Sequence, residues 1–537
     1  KGQLSMTTIG PWDLRKPAVT GPGGIVASQS RRAAAAGAAI LAAGGNAVDA
    51  AIATGFAVGA VEPWMSGLGG CGFMVVAEPG GGPAQVVDFG LVAAAGLDPA
   101  RYELLPGAKG DQDIFGWPRV IQDRNVIGPE SVALPTYVEG IRLAHERFGK
   151  LAWPALLEPA IALAEEGVLL DWYGALAIAV AGPDLALFEP ARRLFLPQGL
   201  APLPGSGTTP HYLPLPALAQ TLRRLASAGA RDFYEGELAR RLADELKSAG
   251  SALSAADLAG YRAAVVPALD FDYRGHRIAG VPGLSGGPAL QQVLGRLAGR
   301  PLSGEAPGAA DYLAYARELR QAYVERLAQA GAGGEAAGPA GNPRASSTTH
   351  LSVVDRDGMM VALTQTLLSR FGAKVLLPET GVLMNNGIMW FDPRPNHPNS
   401  IAPGKRPLAN MCPVTVSRPD AGTQRPWLAL GASGGRSIMP AVAQILSFVI
   451  DYGMDLETAF HQPRLDESGS GIVTLDARLG PEVIAAVAAD GPVEVGETRA
   501  YPVLFASPSA VMQAEHRNIG MAEIASPWSG AVAETPS

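Results

Sequence analysis

Residues 331–341 read GAGGEAAGPAG, and soon after them the chain turns abruptly into Thr348-Thr349-His350-Leu351-Ser352-Val353-Val354. Gly, Ala and Pro without a period make flexible, exposed chain. The residues that follow have the β-branched, apolar character of a buried strand. Asp355-Arg356-Asp357-Gly358 supplies a turn and Met360-Val361-Ala362-Leu363-Thr364-Gln365-Thr366 runs back, so a hairpin is expected. A loop that ends on a threonine opening a buried strand is a junction where chemistry is expected. A threonine hydroxyl is a weak nucleophile unless a base lies beside it. Placing Thr348 first in a chain lets its own α-amine serve as that base. The free amine has a pKa of ~7.7–8.0, so a useful fraction is unprotonated near neutrality. The design requires the Ser347–Thr348 bond to be cut, and the loop upstream gives that cut a place that leaves the fold intact. Without such a cut, Thr348 is an ordinary strand threonine.

Composition narrows the alternatives. Of the 537 residues, 47% are hydrophobic and 17% charged, enough apolar material for a large core and too much for a disordered chain. Length alone allows several domains or one large interleaved fold. A net charge of −8 with no Lys/Arg run argues against nucleic acid as a partner. Cys71 and Cys412, the only two cysteines, exclude a four-cysteine metal site and are expected to be small buried thiols. The seven histidines lack ligand spacing, so neither metal nor cofactor is expected. Nor is a membrane span: the longest apolar stretch, 33–61, is interrupted by Gly44-Gly45-Asn46 and Asp49. Two shorter stretches, 172–182 and 439–450, have the length of buried core helices. The glycines of 67–72 match neither GxGxxG nor GxxxxGK[ST], and close approach of backbone to a neighbour is the expected reason for them. Helical periodicity marks 31–60 with a break at 44–46, then 140–148, 155–166, 217–228, 237–249 and 309–330, and Ser254 reads as a helix cap.

Several strings, in order along nearly the whole chain, resemble the γ-glutamyltransferase family of N-terminal-nucleophile (Ntn) hydrolases. They are Gly44-Gly45-Asn46-Ala47-Val48-Asp49-Ala50-Ala51, Val61-Glu62-Pro63, Gly67-Leu68-Gly69-Gly70-Cys71-Gly72-Phe73-Met74 and His145-Glu146-Arg147-Phe148-Gly149-Lys150. They continue through Ala162-Leu163-Ala164-Glu165-Glu166-Gly167, Asp257-Leu258-Ala259-Gly260-Tyr261, Ser347-Thr348-Thr349-His350, Lys405-Arg406-Pro407-Leu408 and Gly431-Ala432-Ser433-Gly434-Gly435. The resemblance implies an α+β fold of four layers, αββα, with two stacked antiparallel sheets between helices. It implies a precursor cut into a large chain, 1–347, ending in a flexible loop 331–347, and a small chain, 348–537, together forming one interleaved fold. A dimer of such heterodimers fits the same pattern. Thr348 is then the nucleophile and Thr366 a second threonine that orients the new amino terminus, with its hydroxyl the candidate base before the cut. Gly434 and Gly435 supply the backbone N–H groups of an oxyanion hole. His350, on the same strand face as Thr348, is read as structural.

Where the family reads a γ-glutamyl head, this chain departs. Asp88-Phe89 is followed by Gly90 instead of an Arg, and Leu368, Gly387, Trp390, Ala409 and Asn410 stand at the other substrate-binding positions. Without those polar readers the pocket is expected to reject a zwitterionic glutamyl head, whose unpaired charges are costly to desolvate, and to accept a more apolar or differently functionalised acyl group. Arg370, His397 and Asn410 are the remaining polar candidates, read first as structural. The expectation is therefore an autoprocessing amidohydrolase or acylase acting on a small-molecule amide. A true γ-glutamyltransferase or glutathione hydrolase is the alternative, followed by an unprocessed, non-catalytic relative. Nothing exported-looking stands at residue 1, so the cytoplasm is the expected compartment, or the periplasm or exterior if a signal peptide has been removed.

Overall fold

The computed structural model describes residues 14–109, 115–302, 304–329, 347–420, 423–501 and 503–535. The Gly/Ala-rich run expected to be a flexible loop lies outside them.

Two seven-stranded sheets carry the fold. One is ordered Gly530–Ala533, Ile25–Ser28, Ser347–Val354, Met360–Leu368, Cys71–Ala77, Gln85–Phe89, Ala264–Pro267. The other is ordered Val19–Gly21, Asn518–Ala522, Ser507–Gln513, Thr423–Ser433, Val414–Asp420, His276–Gly280, Leu269–Tyr273. All pairings within both sheets are antiparallel. The sheets stack face to face, with Ser347–Val354 lying against Thr423–Ser433 and Ser507–Gln513. Helices Arg31–Ala42, Ala47–Val61 and Tyr137–Phe148 cover the first sheet; Gly287–Ala298 and Ile438–Ile450 cover the second. The layers are thus αββα, as expected, and each sheet shares a hydrophobic core with its own helices.

The Ala-rich text explains how closely the first helical layer packs. A Cβ on Gly37 would lie 2.1 Å from Thr54 Oγ1 and 2.8 Å from the Ala50 carbonyl oxygen, so the two helices touch backbone to backbone. Asn46 ends the break between them: its side chain accepts from the Asp49 N–H while Asp49 accepts from the Asn46 N–H, a capping box. Asp49 also accepts from the Lys150 and Leu151 amides, tying this helix start to the 149–151 turn. Every residue of Ala47–Val61 is buried. Ile438–Ile450 is buried through Val449, as its sequence implies. Trp172–Leu185 differs: only one face is covered and Trp172 is 48% exposed. Among the described residues no helix is long and apolar enough to cross a membrane. Cys71 and Cys412 are free and buried, as expected.

The hairpin sits mid-sheet. Ser347–Val354 pairs with Ile25–Ser28 on one side and with Met360–Leu368 on the other, and the latter pairs with Cys71–Ala77. The glycines of 67–72 let the next backbone come close. A Cβ on Gly70 would lie 2.5 Å from the Thr366 carbonyl oxygen, and one on Gly72 2.4 Å from that of Thr364. They seat the strand that bears Thr366.

Candidate active site

The ladder between the hairpin strands slips at its open end. Ser347 pairs with Leu368 but Thr349 with Gln365, so Thr366 and Leu367 together stand opposite the single Thr348. Such a bulge re-aims the side chain within it. Here it turns Thr348 toward Thr366: the two Oγ1 atoms are 3.2 Å apart. Both hydroxyls converge on the bond that precedes Thr348, since Thr348 Oγ1 lies 2.7 Å from the Ser347 carbonyl oxygen and Thr366 Oγ1 donates to the same oxygen. Thr366 Oγ1 in turn accepts from the Leu368 N–H at 2.8 Å. A hydroxyl has one proton to give, and that of Thr366 goes to the carbonyl. Thr366 is thus placed to polarise the Ser347 carbonyl while its own oxygen lies 3.2 Å from the Thr348 hydroxyl. The Ser347 hydroxyl donates to the Ser369 carbonyl at 2.7 Å, which fixes the residue on the acyl side of the bond.

Thr348 opens onto a cavity of about 330 Å³. Gly434 and Gly435 line it at the end of strand Thr423–Ser433, where a short turn, Gly435–Ser437, leads into helix Ile438–Ile450. Backbone N–H groups at the start of a helix favour negative charge. Gly434 has φ +138° and Gly435 +61°, and a Cβ on Gly434 would lie 2.8 Å from Ala506 Cα. Only glycine fits there.

His350 takes no part in the cavity. Its ring nitrogens lie 2.8 Å from Thr364 Oγ1 and 2.9 Å from Ser352 Oγ, and a Cβ on Gly431 of the facing sheet would collide with it. Burial pushes its pKa down to about 3, so it is a neutral inter-sheet strut.

The rest of the cavity wall mixes apolar side chains, among them Ile472, Val503, Leu504 and Phe505, with charged ones. The charged lining comprises Arg370, Arg436, Arg464, Glu62, Asp466 and Glu523, and Tyr173 and Trp528 form an aromatic wall stacked 3.7 Å apart. Arg464 is paired with Glu523 at 3.0 Å, both buried. Burial, with Asp171 nearby, raises the Glu62 carboxyl from 4.5 to about 8. The sign follows from linkage: between those two values the unfolded chain has released the Glu62 proton and the folded one retains it. Folding stability therefore falls as pH rises from about 4.5 to about 8. Glu62→Gln removes that slope; the variant's unfolding free energy from urea denaturation, relative to wild type, should gain by roughly 2–4 kcal/mol in going from pH 5 to pH 8. An unchanged difference between the two proteins across that range would show that Glu62 titrates normally.

Comparison with known proteins decides the family. The family described as Gamma-glutamyltranspeptidase matches residues 33–332 and 331–532. The chain belongs to the gamma-glutamyltranspeptidase family. Among curated relatives, the acylase ACY 1 proenzyme of Pseudomonas sp. (strain V22) is 34% identical over 510 residues, covering 89% of this chain and 88% of its own. The glutathione hydrolase proenzyme of Bacillus subtilis (strain 168) is 28% identical over 547 residues, covering 92% of this chain and 90% of its own. The crystal structure of cephalosporin acylase from Bacillus halodurans shares the fold, with a TM-score of 0.83 at 24% identity and 98% of each chain covered. The protein is thus an Ntn-type enzyme of a family made as proenzymes, whose members hydrolyse or transfer acyl groups.

Within this family frame the residues carried over from sequence divide into two groups. Thr348, Thr366, Gly434 and Gly435 come together around one cavity edge, Thr366 directly behind Thr348. The substrate-binding set does not reach the cavity. Gly90 lies under the Arg406 guanidinium, whose Nη2 would be 2.4 Å from a Cβ there and which pairs with Asp88. Leu368 is buried at φ +82°, Gly387 donates to Asn385 Oδ1, and Trp390 is enclosed, its carbonyl taken by Asn399. The Ala409 carbonyl and the Asn410 side chain both accept from buried Arg326. His397 binds Ser400 through its backbone. The polar candidates thus separate: Arg370 faces the cavity and the other two do not. Glu62, Tyr173, Arg464 and Trp528 escaped sequence reasoning. Glu62 lay inside a quoted string, Val61-Glu62-Pro63, but nothing local marked it as a wall of the site.

Proposed function

We propose that this protein is an autoprocessing amide hydrolase, an acylase, with Thr348 as its nucleophile. The observation that carries the reading is the convergence of the Thr348 and Thr366 hydroxyls on the Ser347 carbonyl oxygen. In maturation Thr348 Oγ attacks that carbonyl carbon and the Thr348 nitrogen leaves, giving an ester. Water then releases a large chain, 1–347, and a small chain, 348–537. Strand Ser347–Val354 lies between Ile25–Ser28 and Met360–Leu368, and Gly530–Ala533 pairs with Ile25–Ser28, which supports two chains staying interleaved after the cut. In turnover the freed α-amine of Thr348 takes the hydroxyl proton as Oγ attacks a substrate amide, and returns it to the leaving amine. Gly434 and Gly435 offer their N–H groups to the oxyanion, and water hydrolyses the acyl-enzyme. No cofactor or metal enters these steps.

An acylase is favoured over a glutathione hydrolase because Gly90 leaves no guanidinium of its own at the position where the family grips the glutamyl α-carboxylate, and Arg406, which fills that space, is already paired with Asp88. The purified protein should run as two bands, and N-terminal sequencing of the smaller should read Thr-Thr-His-Leu-Ser. Neutral and carboxyl-bearing acyl-p-nitroanilides should be hydrolysed at least about tenfold faster than γ-glutamyl-p-nitroanilide, since a mismatched charged head is strongly rejected. Efficient γ-glutamyl turnover stimulated by glycylglycine would reverse that choice, and one band near 55 kDa would remove the enzyme design altogether.

A further inference from the structure

Arg370 is the feature of the cavity that neither the hydrolytic step nor the fold uses. It is only 7% exposed, yet its Nε and Nη1 have no hydrogen-bond partner, and it lines the same cavity as Thr348. Its guanidinium lies 6.0 Å from the centroid of the Tyr501 ring, which supports the plane without supplying an anion. The neighbouring cavity cations differ: Arg464 is bound to Glu523 and Arg499 to Glu497. Glu62 leaves the Arg370 charge uncompensated near neutral pH, because burial keeps it protonated up to about pH 8.

The backbone holds this side chain in place. Leu368, Phe371, Gly372 and Lys374 all have positive φ, at 82°, 60°, 54° and 63°. Strained conformations persist where the surroundings over-determine them. Here the anchors are visible: the Ser369 N–H donates to Asn386 Oδ1 at 3.1 Å, and the Phe371 N–H to the Trp64 carbonyl at 3.0 Å. Arg370 is thus gripped on both sides within four residues of Thr366.

A buried guanidinium without a counter-charge is costly to keep. We propose that Arg370 is the specificity-determining residue of this enzyme and that it binds a carboxylate carried by the substrate amide. The proposal rests on the acylase reading for its reaction, though not for its binding site. A planar fork matches a carboxylate edge to edge. A phosphate dianion would be poorly matched by Arg370 in a wall that also carries Asp466 and Glu523. The carboxylate belongs either to the acyl group or to the leaving amine, and the two arms of the test separate these sources.

Three substrates are compared on the processed enzyme: glutaryl-p-nitroanilide, neutral valeryl-p-nitroanilide, and N-valeryl-4-aminobenzoate, which carries its carboxylate on the amine. One of the carboxylates should exceed the neutral amide in kcat/KM by roughly 10–100-fold, the range for a charged hydrogen-bonded pair. Arg370→Gln should collapse that ratio toward one, mainly through KM, and Arg370→Lys should restore only part of it. Calorimetry with glutarate and with 4-aminobenzoate measures binding without turnover. The processed wild type should bind one of them, about tenfold or more tighter than Arg370→Gln does, and inorganic phosphate should not compete. If no anilide is hydrolysed the acylase reading fails, while calorimetry still decides the role of Arg370. Binding of neither carboxylate to the wild type, or a preference that survives Arg370→Gln, would overturn the proposal.

Discussion

Thr348→Ala should leave a single chain of 55.4 kDa and no amide hydrolysis above background, a loss of roughly 10⁴–10⁶-fold if the residue is the nucleophile. The Ser347 carbonyl oxygen is already in contact with both threonine hydroxyls, and the Leu368 N–H, by donating to Thr366, directs the Thr366 proton toward that carbonyl. Removing Thr348 Oγ leaves the carbonyl polarised but unattacked. Thr348→Ser keeps the hydroxyl and should still cut, more slowly, since it loses the methyl that restricts χ1. Thr366→Val separates the two roles: the nucleophile remains, the carbonyl loses its donor, and cleavage should slow without stopping. A Thr348→Ala protein that still appears as two bands on a denaturing gel would place the nucleophile elsewhere.

The proposed nucleophile, Thr348, was legible in sequence because such chemistry forces an abrupt junction, with loop text before it and strand text after it. Helix Ala47–Val61 was legible because an Ala-rich run follows the Gly44-Gly45-Asn46 break; the Asn46/Asp49 capping box that starts it appears in the structure. The four-layer stacking followed from the family strings; no single strand announces which sheet it joins. The expected substrate-binding positions lie away from the cavity for a physical reason. Positions 90, 387, 390, 409 and 410 were scored by what the family places there, yet in this chain Arg406 and Arg326 occupy or engage that region, and both come from distant sequence. Arg370 was visible as a residue, but its orphaned state is not a sequence property. Whether a guanidinium has a partner depends on every chain segment that packs around it. Trp172–Leu185 illustrates the same limit: an apolar run of helix length specifies the helix and leaves open how many of its faces are covered.

Gly434→Ala should lower kcat by about 10²–10³-fold, the range for losing an oxyanion donor, while the chain is still cut. The two effects separate because they draw on different donors. In the uncut chain the Ser347 carbonyl oxygen is held by the hydroxyls of Thr348 and Thr366, not by the glycine turn. In turnover the substrate carbonyl has no such pair of hydroxyls in the precursor's arrangement, and the Gly434 and Gly435 N–H groups, in the turn ahead of helix Ile438–Ile450, remain as the natural donors. A methyl at Gly434 would sit 2.8 Å from Ala506 Cα, which belongs to the backbone leading into strand Ser507–Gln513 and is not free to yield. The φ of +138° is in addition closed to an L-residue with a side chain, so the peptide on either side must rotate and carry its N–H away from the nucleophile. Single-turnover kinetics on a p-nitroanilide, with the denaturing gel and the urea midpoint measured on the same preparation, distinguishes a misplaced donor from a misfolded protein. A variant that is cut, stable and fully active would remove the turn from the oxyanion hole.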